Sequence, residues 1–203
     1  FTGFLAGFCL GCWGLAAAGE TTDEFRGIWV VRHTLTSPER IVQAVERCRA
    51  SGFNALFVQV RGRGDAYYRS RLVPRGEDIP EGVLDFDPLA LAIREAHRAG
   101  MEVHAWVNTH LVWGPVDPPR SPLHLVNSHP DWLAVPRSLG RALHDRDPRS
   151  TEYLRRLTEY AAATHGVEGL FTSPSHPAVQ DRMVDVLMDL VGNYELDGIH
   201  FDY

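Results

Sequence analysis

The sequence predicts an α/β fold, and within that class the first half, about four β-α units, of a (β/α)8 TIM barrel. Short, almost continuously apolar runs alternate along the chain with segments in which apolar residues recur at helical spacing. Such strands are typical of parallel sheets that are covered on both faces. The 203 residues, 44% hydrophobic and 23% charged, suffice for one domain or at most two, whereas a complete barrel needs about 250 residues.

Both ends of the sequence indicate a longer protein. Residue 1 is Phe rather than Met, and the last strand reaches Tyr203 with no turn after it. We therefore expect a chain that is truncated at its C-terminus, in which residues 25–203 form the N-terminal part of the barrel.

The first two strands are joined by a helix whose start is marked by two residues. The apolar residues 27–31 predict the first strand. Ser37 is a good N-cap and Pro38 suits the first helical position, and we expect this helix to end near Gly52. Residues 54–60 then predict a second, buried strand.

The later elements continue the alternation of strands and helices. Asp87 and Pro88 begin a second amphipathic helix, and residues 101–108 predict a third strand. Two more helices and a fourth strand are predicted at residues 150–164, 177–194 and 196–203, respectively.

Two long segments, residues 61–84 and 109–176, follow the second and third strands. Long excursions in α/β folds are usually functional loops at the carboxyl ends of strands. The alternative architecture is an open, doubly wound sheet, which in dinucleotide-binding proteins has a glycine-rich turn after the first strand. This chain has Arg32, His33 and Thr34 there, so the pattern favours the barrel.

The first 18 residues predict a signal peptide whose start is missing. Residues 1–18 are almost wholly apolar and uncharged, and three alanines precede Gly19, as at a cleavage site. A membrane anchor is the alternative, although the run is at the short end of the ~17–25 residues that a spanning helix needs. We expect a secreted, periplasmic or cell-surface protein with no stable membrane span after cleavage, in which Cys48 is the one cysteine left.

The charge balance excludes some partners and chemistries. Twenty basic residues against 26 acidic residues give a net charge of −6, so no basic surplus indicates a nucleic-acid partner. All the basic residues are arginine, which excludes lysine Schiff-base chemistry within this stretch.

The end of the fourth strand carries the sharpest candidate for catalysis. Alternation along a strand places His200 and Asp202 on one face. An inward carboxylate at the carboxyl end of a barrel strand is where barrel enzymes place catalytic groups. We expect Asp202 to be catalytic and His200 to steady it by a hydrogen bond. The alternatives are an aspartate that caps a helix or binds an arginine, and a buried, satisfied histidine.

The third strand adds a second group of candidates. His104, Trp106 and Asn108 share one face, with Asn108 at the mouth of the barrel, where its amide suits sugar hydroxyl groups. Trp106 offers a ring face to a sugar, or packs in the core as large aromatic residues usually do. We expect no metal site, because the spacing of His104 and His110 matches no usual zinc pattern and no carboxylate is expected nearby.

The end of the second strand carries further polar candidates. Gln59 and Arg61 are expected to share a face, with Asp65 close to the mouth. Together with the tyrosines that follow, Arg61 and Asp65 suit a polyhydroxylated ligand, or else belong to a solvated loop. Three aromatic residues of the 109–176 segment are weaker candidates for stacking on sugars: Trp113, Trp132 and Tyr153.

Five segments carry a resemblance to a known family: residues 25–30, 105–108, 129–133, 174–179 and 194–203. Together they resemble the glycosyl-hydrolase-like family 10 proteins, which are exported bacterial (β/α)8 barrels; the stretch that ends at residues 173–175 diverges. The last segment also looks like the fourth strand of the α-amylase and α-galactosidase barrels. That likeness implies that Asp202 is the nucleophile, that His200 supports it, and that the acid/base carboxylate lies beyond residue 203.

These observations predict a glycoside hydrolase that needs no cofactor and cleaves a bacterial or environmental polysaccharide by carboxylate chemistry. We expect this fragment alone to be inactive. The alternative is a catalytically silent barrel that binds glycans at the cell surface, and the discriminating feature is a second inward carboxylate near Asp202. A metal-dependent hydrolase is a further alternative, which would need a tight cluster of His and Asp at the strand ends.

Overall fold

The computed structural model describes residues 24–80, 86–114 and 117–203. The predicted signal peptide, residues 1–18, lies outside the described residues. In the described part of the chain, no helix is long and apolar enough to cross a membrane.

Two sheets contain the strands of the described residues. The strands are β1 (Gly27–Val30), β2 (Ala55–Arg61), β3 (Glu102–Asn108), β4 (Leu111–Trp113), β5 (Leu170–Phe171) and β6 (Gly198–Asp202). A parallel sheet has the order β1-β2-β3-β6, and β4 pairs with β5 in a separate antiparallel sheet. The parallel sheet therefore grows in one direction as the chain proceeds, whereas a doubly wound sheet reverses its strand order. The predicted α/β fold with a parallel sheet is confirmed.

Six helices lie between the strands of the described residues. They are α1 (Pro38–Ala50), α2 (Pro88–Arg98), α3 (Leu125–Ser128), α4 (Arg137–Leu143), α5 (Thr151–Ala163) and α6 (Pro177–Asn193). Of these, α1, α2 and α6 cover one face of the parallel sheet. Two short 3-10 turns lie at Arg32–Thr36 and Pro130–Trp132.

The two predicted helix starts are confirmed at atomic detail. The Ser37 hydroxyl accepts a hydrogen bond from the Arg40 N–H at 3.3 Å, and Oδ1 of Asp87 accepts one from the Ala90 N–H at 3.1 Å. Both helices have proline at their first position. These caps satisfy N–H groups that have no partner inside the helix.

The parallel sheet has two faces with different surroundings. We call the outer face the one that the helices cover; its buried residues are Leu56, Val58, Val103, Ala105 and Val107. They pack with buried residues of α1, α2 and α6, including Ile41, Val45, Leu89, Ile93 and Leu190. We call the inner face the opposite one, which carries Trp29, Phe57, Trp106, His200 and Asp202. The core of the described chain thus lies on the outer side of the sheet.

The outer face of β6 is only partly covered. Strand alternation places Ile199 and Phe201 on this face. Ile199 packs against the core, whereas Phe201 is 57% exposed, because no element among the described residues covers most of its ring.

The segment between β3 and α6 has a small core of its own. The sequence predicts one helix there, and the structure adds β4, β5, α3 and α4. The core residues are Val112, Val126, Leu133, Leu143, Tyr153, Leu157, Ala161 and Leu170. Hydrogen bonds from the Ala134 N–H to the Phe171 carbonyl and from the Thr172 N–H to the His110 carbonyl connect distant parts of this segment.

The aromatic residues of this segment are engaged in local packing. The Trp132 ring stacks on His129 with 4.0 Å between ring centroids. Trp113 donates its indole N–H to the carbonyl of Asp117 at 2.8 Å, and Tyr153 is 5% exposed. Their main role in this structure is to hold the segment together.

Candidate active site on the inner face of the sheet

The inner face carries a row of aromatic rings across neighbouring strands. The rings of Trp29 and Phe57 stack with 5.3 Å between centroids, and the Phe57 ring lies 5.1 Å from that of His200. Trp106 and His200 are directly opposite each other in the register of β3 and β6. Strand alternation with a period of two brings these side chains onto one face. Aromatic rings thus line the inner face of the described strands.

Asp202 lies at the carboxyl end of β6, and its carboxylate is held from two sides. Oδ2 accepts a hydrogen bond from the indole Nε1–H of Trp106 at 3.0 Å, and Oδ1 accepts one from the backbone N–H of Tyr203 at 2.9 Å. The side chain remains partly exposed. The carboxylate is therefore fixed in direction and still has acceptor capacity for a ligand.

His200 makes a different contact from the one that the sequence predicts. Its Nε2 lies 3.3 Å from the indole Nε1 of Trp29. Because an indole N–H only donates, Nε2 of His200 is the acceptor and the ring proton lies on Nδ1. The expected hydrogen bond from His200 to Asp202 is thus replaced by the bond from Trp106.

Arg61 lies on the opposite side of the sheet from the predicted one. The register between β2 and β3 shifts between Gln59 and Arg61, so that Gln59 pairs with Trp106 and Arg61 pairs with Val107. A shift of one residue turns a side chain to the other face. The prediction that Gln59 and Arg61 share a face is therefore wrong.

Arg61 is buried at the carboxyl end of β2, where its contacts are structural. The residue is 3% exposed, and its guanidinium donates to the backbone carbonyls of Asn108 and Thr109. Burial lowers the pKa of Arg61, and the nearby Tyr68 and Asp65 act against that shift. A direct contact of Arg61 with a sugar stays a prediction, whereas its contacts at the end of β3 are shown.

Asp65, in the loop that follows β2, and Asn108, the last residue of β3, are also buried. Oδ1 of Asp65 accepts hydrogen bonds from the N–H groups of Gly62 and Arg63, the latter at 2.8 Å, and Asp65 is 6% exposed. Asn108 is 1% exposed and donates from Nδ2 to the Gly62 carbonyl at 2.9 Å. Their proposed contacts with sugar hydroxyl groups stay predictions; in this structure they shape the loop above the inner face.

A histidine that the sequence analysis passed over supports the same loop. His124 is buried, and its Nε2–H donates to the Arg63 carbonyl at 2.7 Å, while its Nδ1 accepts from the Val126 N–H. Burial lowers the pKa of His124, which agrees with a neutral ring that donates on one side and accepts on the other.

Trp29 and Phe57 also lie on the inner face, which sequence reasoning did not predict. Trp29 is 57% exposed although it stands in an apolar strand. Both rings lie level with His104 in the register of the sheet, so they form an aromatic layer towards the amino ends of the strands, away from Asp202.

The described residues contain no group of three or more His, Cys, Asp or Glu side chains that could hold a metal ion. His104 does have a carboxylate beside it, contrary to the expectation, since its Nε2 lies 2.9 Å from Oε2 of Glu102. This pair lies near the amino end of β3, away from Asp202.

The sequences of two bacterial proteins align with most of this chain. It is 27% identical over 210 residues to Glycosyl hydrolase DigH of Escherichia coli, covering 92% of this chain and 43% of DigH. It is 24% identical over 204 residues to Glycosyl hydrolase YngK of Bacillus subtilis, covering 92% of this chain and 34% of YngK. The chain thus spans less than half the length of these relatives.

The fold is also similar to that of a solved glycosidase. Alpha-L-fucosidase isoenzyme 2 from Paenibacillus thiaminolyticus superposes with a TM-score of 0.56 and 18% sequence identity, over 88% of this chain and 23% of the fucosidase. This likeness supports the α/β fold of the chain. The model of the Glycosyl hydrolase-like 10 family matches residues 24–203, so the chain belongs to that family.

Proposed function

We propose that this chain supplies the first four strands of a (β/α)8 barrel and one catalytic carboxylate of a glycoside hydrolase. The observation that carries the proposal is the position of Asp202, which lies at the carboxyl end of β6 with its Oδ2 held by Trp106. Catalytic groups of barrel enzymes sit at this edge. Membership of the Glycosyl hydrolase-like 10 family supports the same chemistry.

Glycosidic cleavage needs two carboxyl groups with different protonation states. Asp202 is the ionised one, and the acid lies beyond residue 203. In a retaining reaction, an oxygen of Asp202 forms a bond to the anomeric carbon while the glycosidic C–O bond breaks and the acid protonates the leaving oxygen. The deprotonated acid then takes a proton from water, whose oxygen bonds to the anomeric carbon as the bond to Asp202 breaks. In an inverting reaction, Asp202 takes the proton of a water that attacks the anomeric carbon directly, while the glycosidic C–O bond breaks and the acid protonates the leaving oxygen.

The Trp106 ring supplies part of the binding surface in this proposal. Sugars present apolar C–H faces between their hydroxyl groups, and the indole of Trp106 lies beside Asp202, to which it donates a hydrogen bond. A polysaccharide from the bacterial cell or its surroundings is the proposed substrate, and no cofactor takes part.

Export of the protein belongs to the same proposal, because a polysaccharide substrate lies outside the cytoplasm. Residues 1–18 then act as the signal peptide, and the mature chain begins near Gly19. N-terminal sequencing of exported protein tests this, and a mature chain that still begins at Phe1 or earlier contradicts it.

The deciding experiment measures turnover and binding separately in the full-length protein. Release of new reducing ends from bacterial polysaccharides is followed for the wild type, for Asp202→Asn and for Asp181→Asn, an exposed aspartate of α6 as control. We expect Asp202→Asn to lower turnover by about 10³-fold or more, as for other catalytic deletions, while glycan binding is nearly unchanged. The control keeps wild-type turnover.

Two other outcomes contradict the proposal. If Asp202→Asn retains near wild-type turnover, Asp202 is structural and the site lies elsewhere. If the wild type binds glycans but releases no product from any of them, the barrel is a glycan-binding protein without catalysis.

A further inference from the structure

The buried charge of Arg61 is not matched by a carboxylate. Among the described residues Arg61 forms no salt bridge, and its hydrogen bonds go to the carbonyls of Asn108 and Thr109. Its Nε is buried and has no hydrogen-bond partner in the described part of the chain. Asp65 lies close enough to favour the charged form of Arg61, but no ion pair joins the two side chains, and Oδ1 of Asp65 accepts from two backbone N–H groups. A buried cation without a direct partner is costly unless something compensates it further.

A small cavity of about 20 Å³ lies against Arg61. A second arginine, Arg182 of α6, also lines it, and its only described hydrogen bond runs to the Leu72 carbonyl at 2.9 Å. Arg182 forms no ion pair with any described residue. The other lining residues include Ser128, His129, Leu72 and Val186. No carboxylate lines this cavity, so two positive groups face it without a negative one.

The size of the cavity restricts what can occupy it. About 10–15 Å³ of such space is needed to hold a single water molecule, so the inner space beside Arg61 holds one species of about that size. The cavity is partly open, so a larger anion such as phosphate or sulfate would extend out of it towards the solvent. A monoatomic halide is close to water in size and supplies the missing negative charge.

We propose that one chloride-type anion binds in this cavity between Arg61 and Arg182. The anion accepts from the free Nε–H of Arg61 and from the guanidinium of Arg182. The apolar walls given by Leu72 and Val186 suit a weakly hydrated ion, which loses less solvation than a polyatomic anion on entering.

The site lies directly behind the end of β3. Arg61 holds the carbonyls of Asn108 and Thr109, and the Thr109 N–H donates to the Asp202 carbonyl at 2.8 Å. An anion that fixes Arg61 therefore also stiffens the backbone that carries Asp202. This places the anion site on the side of the sheet opposite the inner face, separate from the proposed catalytic site.

Halide binding is tested by thermal unfolding of the full-length protein at constant ionic strength, with sodium chloride replacing sodium gluconate. A ligand that binds only the folded state raises the Tm in a saturable way. We expect this rise in the wild type. Crystals grown or soaked in bromide are expected to show an anomalous peak between Arg61 and Arg182.

Arg182 is partly exposed, so its replacement disturbs folding less than replacement of the buried Arg61 and allows halide binding to be tested separately. In Arg182→Gln, the chloride concentration that gives half of the Tm rise is expected to increase by about tenfold or more, since one charged contact is lost. Arg141→Gln, which removes an exposed arginine of α4, is the matched control and keeps the wild-type response. Arg61→Gln is measured as well, where it folds.

Three results overturn the inference. They are a Tm that does not differ between chloride and gluconate, a bromide peak elsewhere with none in the cavity, or an equal chloride response in Arg182→Gln and the wild type. A larger stabilisation by phosphate than by chloride also overturns it, because the preferred ligand would then be a polyatomic anion.

Discussion

The indole Nε1 of Trp106 lies 3.0 Å from Oδ2 of Asp202, so the central strand β3 orients the carboxylate at the end of β6. Trp106 is opposite His200 in the register, one inner-face position below Asp202. The long indole therefore reaches diagonally along the sheet. The neutral, rigid donor fixes the direction of the carboxylate without adding a charge that would neutralise it.

Replacement of Trp106 by phenylalanine tests this relationship. Trp106→Phe keeps an aromatic ring on the inner face but removes the N–H donor. We expect kcat of the full-length protein to fall by about 10- to 100-fold, because a displaced reacting group is costly, while KM changes much less. Steady-state kinetics on the polysaccharide that the wild type cleaves give both values.

Trp29→Phe is the matched control for that measurement. It removes the same kind of donor from the same face, but the Trp29 indole bonds to His200 rather than to Asp202. Its effect on kcat is expected to be clearly smaller. Equal losses in the two variants would mean that the hydrogen bond to Asp202 has no special role.

Removal of the His200 side chain is expected to be milder than removal of the Asp202 charge. In the structure His200 bonds to Trp29 and makes ring contacts with Phe57 and Trp106. His200→Ala therefore disturbs the packing of the inner face without taking a donor from Asp202. Its loss in turnover should be at least about tenfold smaller than that of Asp202→Asn. Similar losses in both variants would return His200 to the supporting role that the sequence predicts.

Helix starts and strand faces were predictable because they depend on neighbouring residues. Ser37 with Pro38, and Asp87 with Pro88, carry the capping signal within two positions. The common face of His200 and Asp202 follows from the period of two in a strand. The membership of Trp106 in the same face follows from the same rule.

The remaining features depend on contacts between distant residues. The register shift at Arg61 arises where β2 meets β3, and no local signal marks it. β4 and β5 have three and two residues, and they pair across the whole 109–176 segment, so neither is long enough to show a period. The indole N–H of Trp29 on β1 donates to His200 on β6, although these are the two outermost strands of the parallel sheet. The contact requires a sheet that curves towards its inner face, which no local pattern in the sequence shows.

The acid sensitivity of the fold is expected to depend in part on Asp197. Its Oδ2 accepts from the Val103 N–H at 2.7 Å and from Nε2 of His97 at 2.8 Å. Burial acts to raise the pKa of Asp197, but these hydrogen bonds outweigh it and the pKa is lowered. The stabilisation is therefore fully present above the unfolded pKa, about 3.9, and is lost as the pH falls below that value through the lower pKa of the folded state.

Asp197→Asn is the test of that contribution. We expect it to lower the free energy of unfolding by about 1 kcal/mol at pH 7, the usual worth of a half-exposed hydrogen-bonded group. The difference from wild type should shrink below about pH 4. Urea unfolding at several pH values measures it, with Glu195→Gln as the neighbouring control. A difference that is the same at pH 3 and pH 7 would contradict the linkage.

The 203-residue chain on its own is expected to self-associate. Large apolar side chains are exposed on both sides of the sheet and on α6: Trp29 57%, Phe201 57%, Val184 58% and Met188 61%. Exposed apolar patches of this kind and an unpaired strand edge promote association. Light scattering after size exclusion should give a mass above the 22.7 kDa of one chain. The double variant Val184→Glu, Met188→Gln should shift that mass downward, whereas Glu159→Gln on α5 should not. A monodisperse monomer with a sharp, reversible thermal transition would show that these surfaces need no partner.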